Sequence, residues 1–177
     1  MCEAPANVTA PGKFQDPGML HSVLLTDLIP NTKYYYKVGL QDGILSDLLS
    51  FTSPPRINPE SSFSFLVLAD QGCPETGWTG FGAPTVAEGL AQEVTNNHAR
   101  FTHIVGDLSY SDGAAHVYDA WFAMNEGFTS RAPFMVSIGN HEYVHNRGGI
   151  GKDPSGVNTD CGYHPRYVNI LKYPLFL

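Results

Sequence analysis

Five polar residues that can bind a metal ion or transfer a proton lie in three short clusters along the chain. They are Asp70, Asp107, Tyr110, Asn140 and His141. Carboxylate and amide oxygens are ligands that hard cations prefer, and an asparagine amide transfers no proton at neutral pH. The set therefore favours a metal site over a pair of acid and base. The phenol of Tyr110 binds metal only as phenolate, which requires a strongly charged cation such as trivalent iron to lower its pKa.

Each cluster follows an apolar segment with the composition of a strand. Residues 63–69 form a continuous apolar run that predicts a buried parallel strand, and residues 102–107 and 133–138 form shorter runs. Between these runs, apolar residues recur at helical spacing over 85–97 and 114–128. The order strand, helix, strand, helix, strand predicts a parallel βαβαβ unit with right-handed crossovers. Ligands bind at the carboxyl ends of such strands, where the five polar residues lie.

The first third of the chain has a different pattern. Residues 20–53 alternate between apolar and polar positions, interrupted by turn residues. The alternation predicts three antiparallel strands, which would be the last part of a β-sandwich that needs about seven. A proline-rich stretch at 54–59 predicts a domain boundary. We therefore expect one partial domain at 1–57 and a second at 58–177.

Composition excludes several classes of protein. The chain has 177 residues, of which 42% are hydrophobic and 15% charged, as in a globular domain. Its net charge of −7 comes with no cluster of basic residues, so we expect no nucleic-acid partner. No stretch approaches the roughly 18 consecutive apolar residues of a membrane span, and the first residues lack a signal-peptide pattern. Three separated cysteines, Cys2, Cys73 and Cys161, indicate neither a disulfide framework nor a zinc cluster, and leave a single disulfide open.

The polar clusters also carry a family resemblance. The residues concerned are Asp70-x-Gly72, Gly106-Asp107-x-x-Tyr110 and Gly139-Asn140-His141-Glu142. In this order they resemble the first three of the five motif blocks of the purple acid phosphatases, a branch of the calcineurin-like metallophosphoesterases. Residues 28–36 are similar to the end of the family's fibronectin-like domain. The resemblance implies an α/β fold, the amino-terminal half of a metallophosphoesterase βαβαβ domain, preceded by the last strands of a fibronectin III-like β-sandwich.

The resemblance implies that the protein hydrolyses phosphomonoesters at a binuclear metal centre of Fe(III) and a divalent ion, which is Zn, Mn or Fe. By similarity, Asp70 and Tyr110 would hold Fe(III), Asp107 would bridge both ions and Asn140 would hold the divalent ion. His141 would contact the phosphate or help to protonate the leaving group. Two such cations, about 3.5 to 4 Å apart, hold the phosphoryl oxygens and lower the pKa of a bound water.

The sequence departs from the family in two ways. Ala69 and Gln71 stand where the family more often has Gly and an apolar residue. The later V-x-x-H and G-H-x-H blocks, which supply three histidine ligands, do not occur in the chain, so we expect an inactive fragment. The family and the N-glycosylation pattern at Asn7-Val8-Thr9 imply a secreted glycoprotein.

Two alternatives remain open. His141-Glu142-x-x-His145 matches the zinc-peptidase pattern H-E-x-x-H, in which both histidines lie on one helical face and the glutamate is the base. An apolar strand runs directly into Gly139, and residue 151 is Gly where a metzincin has His, which disfavours a peptidase. The third-ligand candidates would be Asp153, Asp160 and His164. A non-catalytic interaction module is the second alternative, although the retained metal-binding donors argue against it.

Overall fold

The fold consists of a small antiparallel ribbon followed by a parallel α/β unit. It is a computed structural model that describes residues 21–40, 42–56, 58, 60, 62–74, 80–96, 99–111 and 115–142. The ribbon strands are β1 (Lys33–Tyr36) and β2 (Leu49–Thr52). The α/β unit contains β3 (Leu66–Leu68), α1 (Ala83–Asn96), β4 (Thr102–Val105), α2 (Ala115–Thr129) and β5 (Phe134–Ser137). A 3₁₀ turn, Asn140–Glu142, follows β5.

The parallel sheet has the strand order β3-β4-β5. Val67 of β3 lies beside His103 of β4, which in turn lies beside Met135 of β5. Because α1 connects β3 to β4 and α2 connects β4 to β5, the predicted βαβαβ unit is confirmed. Both helices begin and end within two residues of their predicted bounds.

The core lies between the helices and one face of this sheet. The buried residues of α1 recur every three or four positions and so form one stripe; they are Ala83, Ala87, Leu90 and Val94. Trp121 and Phe128 of α2 and Ile104 of β4 are fully buried against it. Each large apolar side chain buried in this way stabilises the fold by about 1.5 to 3 kcal/mol. Among the described helices, none is long and apolar enough to cross a membrane.

The prediction of a buried strand at residues 63–69 is wrong in two respects. Regular pairing is limited to Leu66–Leu68, and Val67 remains 58% exposed and Phe65 49% exposed. The reason is that β3 lies at the edge of the described sheet, while the two helices cover only the face opposite Val67. Phe65 instead stacks on Phe101, with the ring centroids 4.7 Å apart.

The amino-terminal ribbon, β1 and β2, also differs from its prediction. Tyr34 lies opposite Phe51, with their rings stacked at 5.6 Å, as alternating strands require. Of the three strands expected over residues 20–53, the first does not form, because residues 21–26 pair with no described strand. Val23 and Leu24 are accordingly about 80% exposed. The boundary between domains 1–57 and 58–177 stays a prediction.

Two polar contacts join the ribbon to the α/β unit. The hydroxyl of Tyr36 donates to the carbonyl of Ser130 at 2.7 Å, and Arg100 Nη2 donates to Asn31 Oδ1 at 3.0 Å. Burial raises the pKa of the Tyr36 phenol, so the group stays a neutral donor at physiological pH. The hydrogen bond from Tyr36 to Ser130 therefore forms at physiological pH.

We expect Tyr36→Phe to lower the free energy of unfolding by about 1 kcal/mol, because it removes one partly buried hydrogen bond and little else. Urea titration measures this change. Tyr35→Phe is the matched control, since Tyr35 is 62% exposed in the same strand and should change the stability little. Equal effects of the two substitutions would contradict a stabilising contact between the ribbon and Ser130.

Candidate metal centre

The carboxyl ends of β3, β4 and β5 lie side by side because the strands are parallel and adjacent. Asp70 and Asp107 each follow their strand by two residues, and Asn140 follows β5 by three. Asp107 is 8% exposed, whereas Asp70 and Asn140 are exposed. The topology therefore brings the predicted polar residues to a single edge of the sheet, which we call the metal-binding edge after the site that the sequence predicts there.

Four of the five predicted site residues are in contact at this edge. The hydroxyl of Tyr110 donates to Asp70 Oδ1 at 2.5 Å. The Tyr110 ring lies 4.4 Å from the imidazole of His141, measured between centroids. Asp107 Oδ1 accepts the backbone N–H of His141 at 3.0 Å. Asn140 begins the 3₁₀ turn that carries His141, and its side chain makes no hydrogen bond to another described residue.

The backbone is strained at the same residues. Asp70, Asp107 and Tyr110 have φ angles of 56°, 49° and 54°, in the left-handed region. A residue with a Cβ atom adopts this region at a cost of about 1 to 2 kcal/mol. Only two other non-glycine residues of the described chain do so, Asp27 and Asn31. Strain of this kind gathers at functional sites, where the surrounding structure enforces it.

Two glycines allow the ends of β4 and β5 to approach each other. A Cβ added to Gly139 would lie 2.0 Å from Asp107 Oδ1, and one added to Gly106 would lie 2.7 Å from the backbone nitrogen of Gly139. Gly106 also has a φ of 87°, which side chains disfavour. The glycine that precedes Asp107 and the one that precedes Asn140 are thus both required by close backbone contact.

Glu142 joins the loops that follow β4 and β5. Its two carboxylate oxygens accept the backbone N–H groups of Asp107 at 2.9 Å, Leu108 at 3.0 Å and Gly139 at 2.8 Å. The residue is 6% exposed, and its charge adds to burial in raising the pKa of the neighbouring Tyr118 phenol. Sequence reasoning missed this role. The available signal was the position of Glu142 at the end of the third motif block.

This geometry disfavours a peptidase. A general base must reach a substrate or a water, whereas Glu142 is buried and holds three backbone donors. Asn140–Glu142 is a 3₁₀ turn and not the helix on which H-E-x-x-H places its ligands. His145 and the proposed third ligands, Asp153, Asp160 and His164, lie outside the described residues.

The electrostatics of the metal-binding edge suit a cation. Burial raises the pKa of the Tyr110 phenol, and the hydrogen bond to Asp70 and the charges of Asp70 and Asp107 raise it further. Within the described part of the chain, neither carboxylate forms an ion pair with Lys or Arg, so two negative charges face each other across a neutral phenol. The described residues contain no group of three His, Cys, Asp or Glu side chains able to hold a metal. The donors that do converge are two carboxylates and a phenol, which fit a hard trivalent cation.

A cavity of about 360 Å³ lies at the opposite end of the sheet, between the ribbon and the carboxyl ends of the helices. Its lining includes three cationic residues, Lys33, Arg100 and Arg131. Arg131 Nη1 donates to the carbonyl of Gly127 at 2.8 Å, which satisfies the last turn of α2, and Arg100 contacts Asn31. Each of the two arginines therefore has a hydrogen-bond partner within the protein. The cavity lies away from the metal-binding edge.

Of the three cysteines, Cys73 is buried, while Cys2 and Cys161 lie outside the described residues.

A parallel βαβαβ sheet with these donors at its strand ends, preceded by a β ribbon, is the arrangement expected of a metallophosphoesterase domain. Residues 3–53 match the family model for the purple acid phosphatase N-terminal domain. The chain is 32% identical over 175 residues to "Probable inactive purple acid phosphatase 27" of Arabidopsis thaliana, covering 92% of this chain and 27% of the relative. Purple acid phosphatase 21 of the same plant is 35% identical over 129 residues, or 73% of this chain and 26% of the relative.

A solved structure agrees with these relatives. The purple acid phosphatase PPD1 from yellow lupin (Lupinus luteus) seeds matches with a TM-score of 0.55 and 28% identity, covering 66% of this chain and 22% of that one. The chain belongs to the purple acid phosphatase family, and the predicted fold class is confirmed. It spans about a quarter of the length of the curated relatives that it matches.

We expect Glu142→Gln to lower the free energy of unfolding by about 1 to 3 kcal/mol, because an amide NH₂ would face backbone donors that need an acceptor. Urea titration measures the loss. Glu88→Gln, on the exposed surface of α1, is the matched control and should leave stability nearly unchanged. If the Glu142 variant were as stable as the control, the three hydrogen bonds would not support the two loops.

We expect Gly139→Ala to displace the Asp107 carboxylate, because the new Cβ would occupy the position next to Oδ1. The substitution should lower stability and weaken metal binding. The control is Gly89→Ala in α1, where an added Cβ meets no atom within 4 Å and should stabilise the helix by about 0.5 to 1 kcal/mol. Calorimetric unfolding and metal titration of both variants test the contrast, and intact metal binding in Gly139→Ala would refute it.

Proposed function

We propose that this chain contributes four metal ligands to an acid phosphatase that hydrolyses phosphomonoesters at a binuclear Fe(III) and divalent-metal centre. The observation that supports this most is the 2.5 Å contact between Tyr110 Oη and Asp70 Oδ1, beside the buried carboxylate of Asp107. The phenol oxygen and the Asp70 carboxylate are already adjacent, and the two carboxylates give this place a negative charge that attracts a cation. A phosphatase of this family needs such a cation.

The roles follow from chemistry and from the family. Asp70 and Tyr110 would hold Fe(III), Asp107 would lie between the two ions, and Asn140 would hold the divalent ion, Zn, Mn or Fe. When bound, the two ions would stabilise charge on the phosphoryl oxygens and activate water for attack. Loss of the phenol proton would leave the Tyr110 oxygen next to that of Asp70, so both would face a common cation.

His141 is the proposed contact to the substrate. Its backbone N–H is held by Asp107, and its ring lies against Tyr110, so its position is set from two sides. An imidazole here can bind the phosphoryl oxygens as a cation or donate a proton to the leaving oxygen. The phosphomonoester would therefore bind at the metal-binding edge, with its leaving group toward His141.

The activity of this chain alone is a separate question. The motif blocks that would supply three histidine ligands do not occur in its sequence. Some relatives have "inactive" in their names, as Probable inactive purple acid phosphatase 27 does, and others, such as Purple acid phosphatase 21, do not. We propose that the chain binds metal incompletely by itself and requires those blocks for turnover.

Secretion and glycosylation are also proposals. They rest on the family and on Asn7, which lies outside the described residues. Enzymatic deglycosylation of the protein from its natural source should increase its electrophoretic mobility. An unchanged mobility would remove the support that Asn7 gives to secretion.

Metal titration with visible spectroscopy tests the proposed centre. The chain, refolded with Fe(III) and zinc, should show a tyrosinate-to-iron band that Tyr110→Phe abolishes. Asp107→Asn should weaken iron binding about tenfold or more, because it removes charge from the shared ligand. Asp42→Asn, at an exposed turn, is the control and should bind as the parent does.

The same experiment separates the alternatives. A chain that binds one zinc without colour and loses it with His145→Ala would support a peptidase. No metal binding by either the chain or a version extended with the two histidine blocks would support an interaction module. The tyrosinate-to-iron colour in both versions, with two bound metals and phosphomonoester hydrolysis only in the extended version, would support the phosphatase.

A further inference from the structure

Two carboxamide side chains meet beneath the metal-binding edge, one from the loop after β3 and one from α2. Gln71 Nε2 donates to Asn125 Oδ1 at 2.8 Å, and Asn125 Nδ2 donates back to Gln71 Oε1 at 3.3 Å. Asn125 Nδ2 also donates to the carbonyl of Trp121 at 2.9 Å. Asn125 is fully buried, and Gln71 is 7% exposed. The two residues therefore form a closed polar pair inside the molecule.

Stability alone does not account for a polar pair at this position. Asn125 lies in α2 between Trp121 and Phe128, both fully buried in the apolar core. Two apolar side chains of similar volume would fill such a space without loss of hydration, whereas one amide left without the other would be strongly unfavourable. An amide pair also fixes the relative orientation of its two side chains, because its two hydrogen bonds form in one relative orientation only.

The orientation matters because Gln71 directly follows Asp70. Asp70 is exposed and has a left-handed backbone conformation, while the side chain of Gln71 points into the core. Backbone hydrogen bonds secure the loop on both sides, from Asp70 N–H to the carbonyl of Gly106 at 3.3 Å and from Gly72 N–H to the carbonyl of Leu108 at 2.9 Å. The only side chain between these two bonds that reaches α2 is that of Gln71.

We propose that the Gln71–Asn125 pair is a positioning device that fixes Asp70 so that its carboxylate meets Tyr110. The pair holds residue 71 against α2, which keeps residue 70 in its strained conformation at the sheet edge. Its effect on metal binding rests on the proposed function, since Asp70 must be a ligand. Its effect on the contact between Asp70 and Tyr110 does not.

A set of leucine variants separates positioning from stability. Gln71→Leu and Asn125→Leu should each lower the urea midpoint, because each removes one partner of the buried pair and leaves polar atoms of the other amide without a hydrogen bond. The double variant should recover much of the midpoint, because both partners are then apolar. If the pair positions Asp70, the double variant still binds Fe(III) about tenfold more weakly than the parent, as loss of an outer-shell partner does. Recovery of Fe(III) affinity together with stability would overturn the proposal.

A second measurement needs no metal. Nuclear Overhauser contacts between the side chains of Asp70 and Tyr110 should be present in the metal-free parent and lost in the double variant. If Asp107→Asn leaves Fe(III) uptake unchanged, the proposed function fails, while these contacts still decide the positioning role. Persistence of the contacts in the double variant would refute that role.

Two further variants complete the design. Gln71→Met keeps nearly the original volume and leaves Asn125 bonded to Trp121, so it should fold even if the double variant does not. It should show the same loss of affinity and of the Asp70–Tyr110 contacts, and unchanged values would count against the proposal. Ser53→Ala, which removes a buried hydroxyl hydrogen-bonded to Thr32 and Ile29 in the ribbon, is the stability control. It should lower the urea midpoint without changing Fe(III) affinity.

Discussion

The metal-binding edge depends on one buried carboxylate that gathers backbone donors from two loops. Without Glu142, the N–H groups of Asp107, Leu108 and Gly139 would point into a space with little water and have no acceptor. A buried unpaired donor is unfavourable by about 1 to 3 kcal/mol, so three of them would drive the loops apart. The charged acceptor makes the close approach of Gly139 to Asp107 possible, and that approach sets the position of His141.

The edge is assembled against local preferences. Asp70, Asp107 and Tyr110 have a left-handed backbone conformation, and the two carboxylates lie near the Tyr110 phenol and raise its pKa. The left-handed backbone is unfavourable and is maintained by the rest of the fold, whereas the raised pKa keeps the Tyr110 phenol protonated as a donor to Asp70 in the protein without metal. A cation bound there would reverse the electrostatic effect, because it favours the carboxylates and the phenolate alike. Metal binding, the function proposed for this edge, would account for both the strain and the charge.

Periodicity predicted the parts of the fold that short-range pattern controls. The buried stripe of α1 is present in the spacing of Leu90 and Val94, and the parallel topology predicted from the sequence is enough to place Asp70 and Asp107 at one edge. What the sequence did not reveal depends on distant partners. The bonds of Glu142 span more than thirty residues to Asp107 and Leu108, and those of Gln71 span 54. The apolar run at 63–69 failed as a buried strand because burial depends on what covers the second face, which no local pattern encodes.

The two carboxylates of the edge are held in different ways, and this difference follows from their strands. Asp107 follows the central strand β4, is 8% exposed, and is fixed through its own backbone N–H by Glu142. Asp70 follows β3 at the edge of the described sheet, where Val67 is open on one face and pairing comes from β4 alone. A residue that follows an edge strand is held by fewer backbone hydrogen bonds. A hydrogen bond from the side chain of its neighbour to a helix therefore contributes more to its position. The amide pair of Gln71 and Asn125 lies beside Asp70, the carboxylate with less backbone support. Asp107 is already enclosed by two loops, and no similar amide pair lies beside it among the described residues.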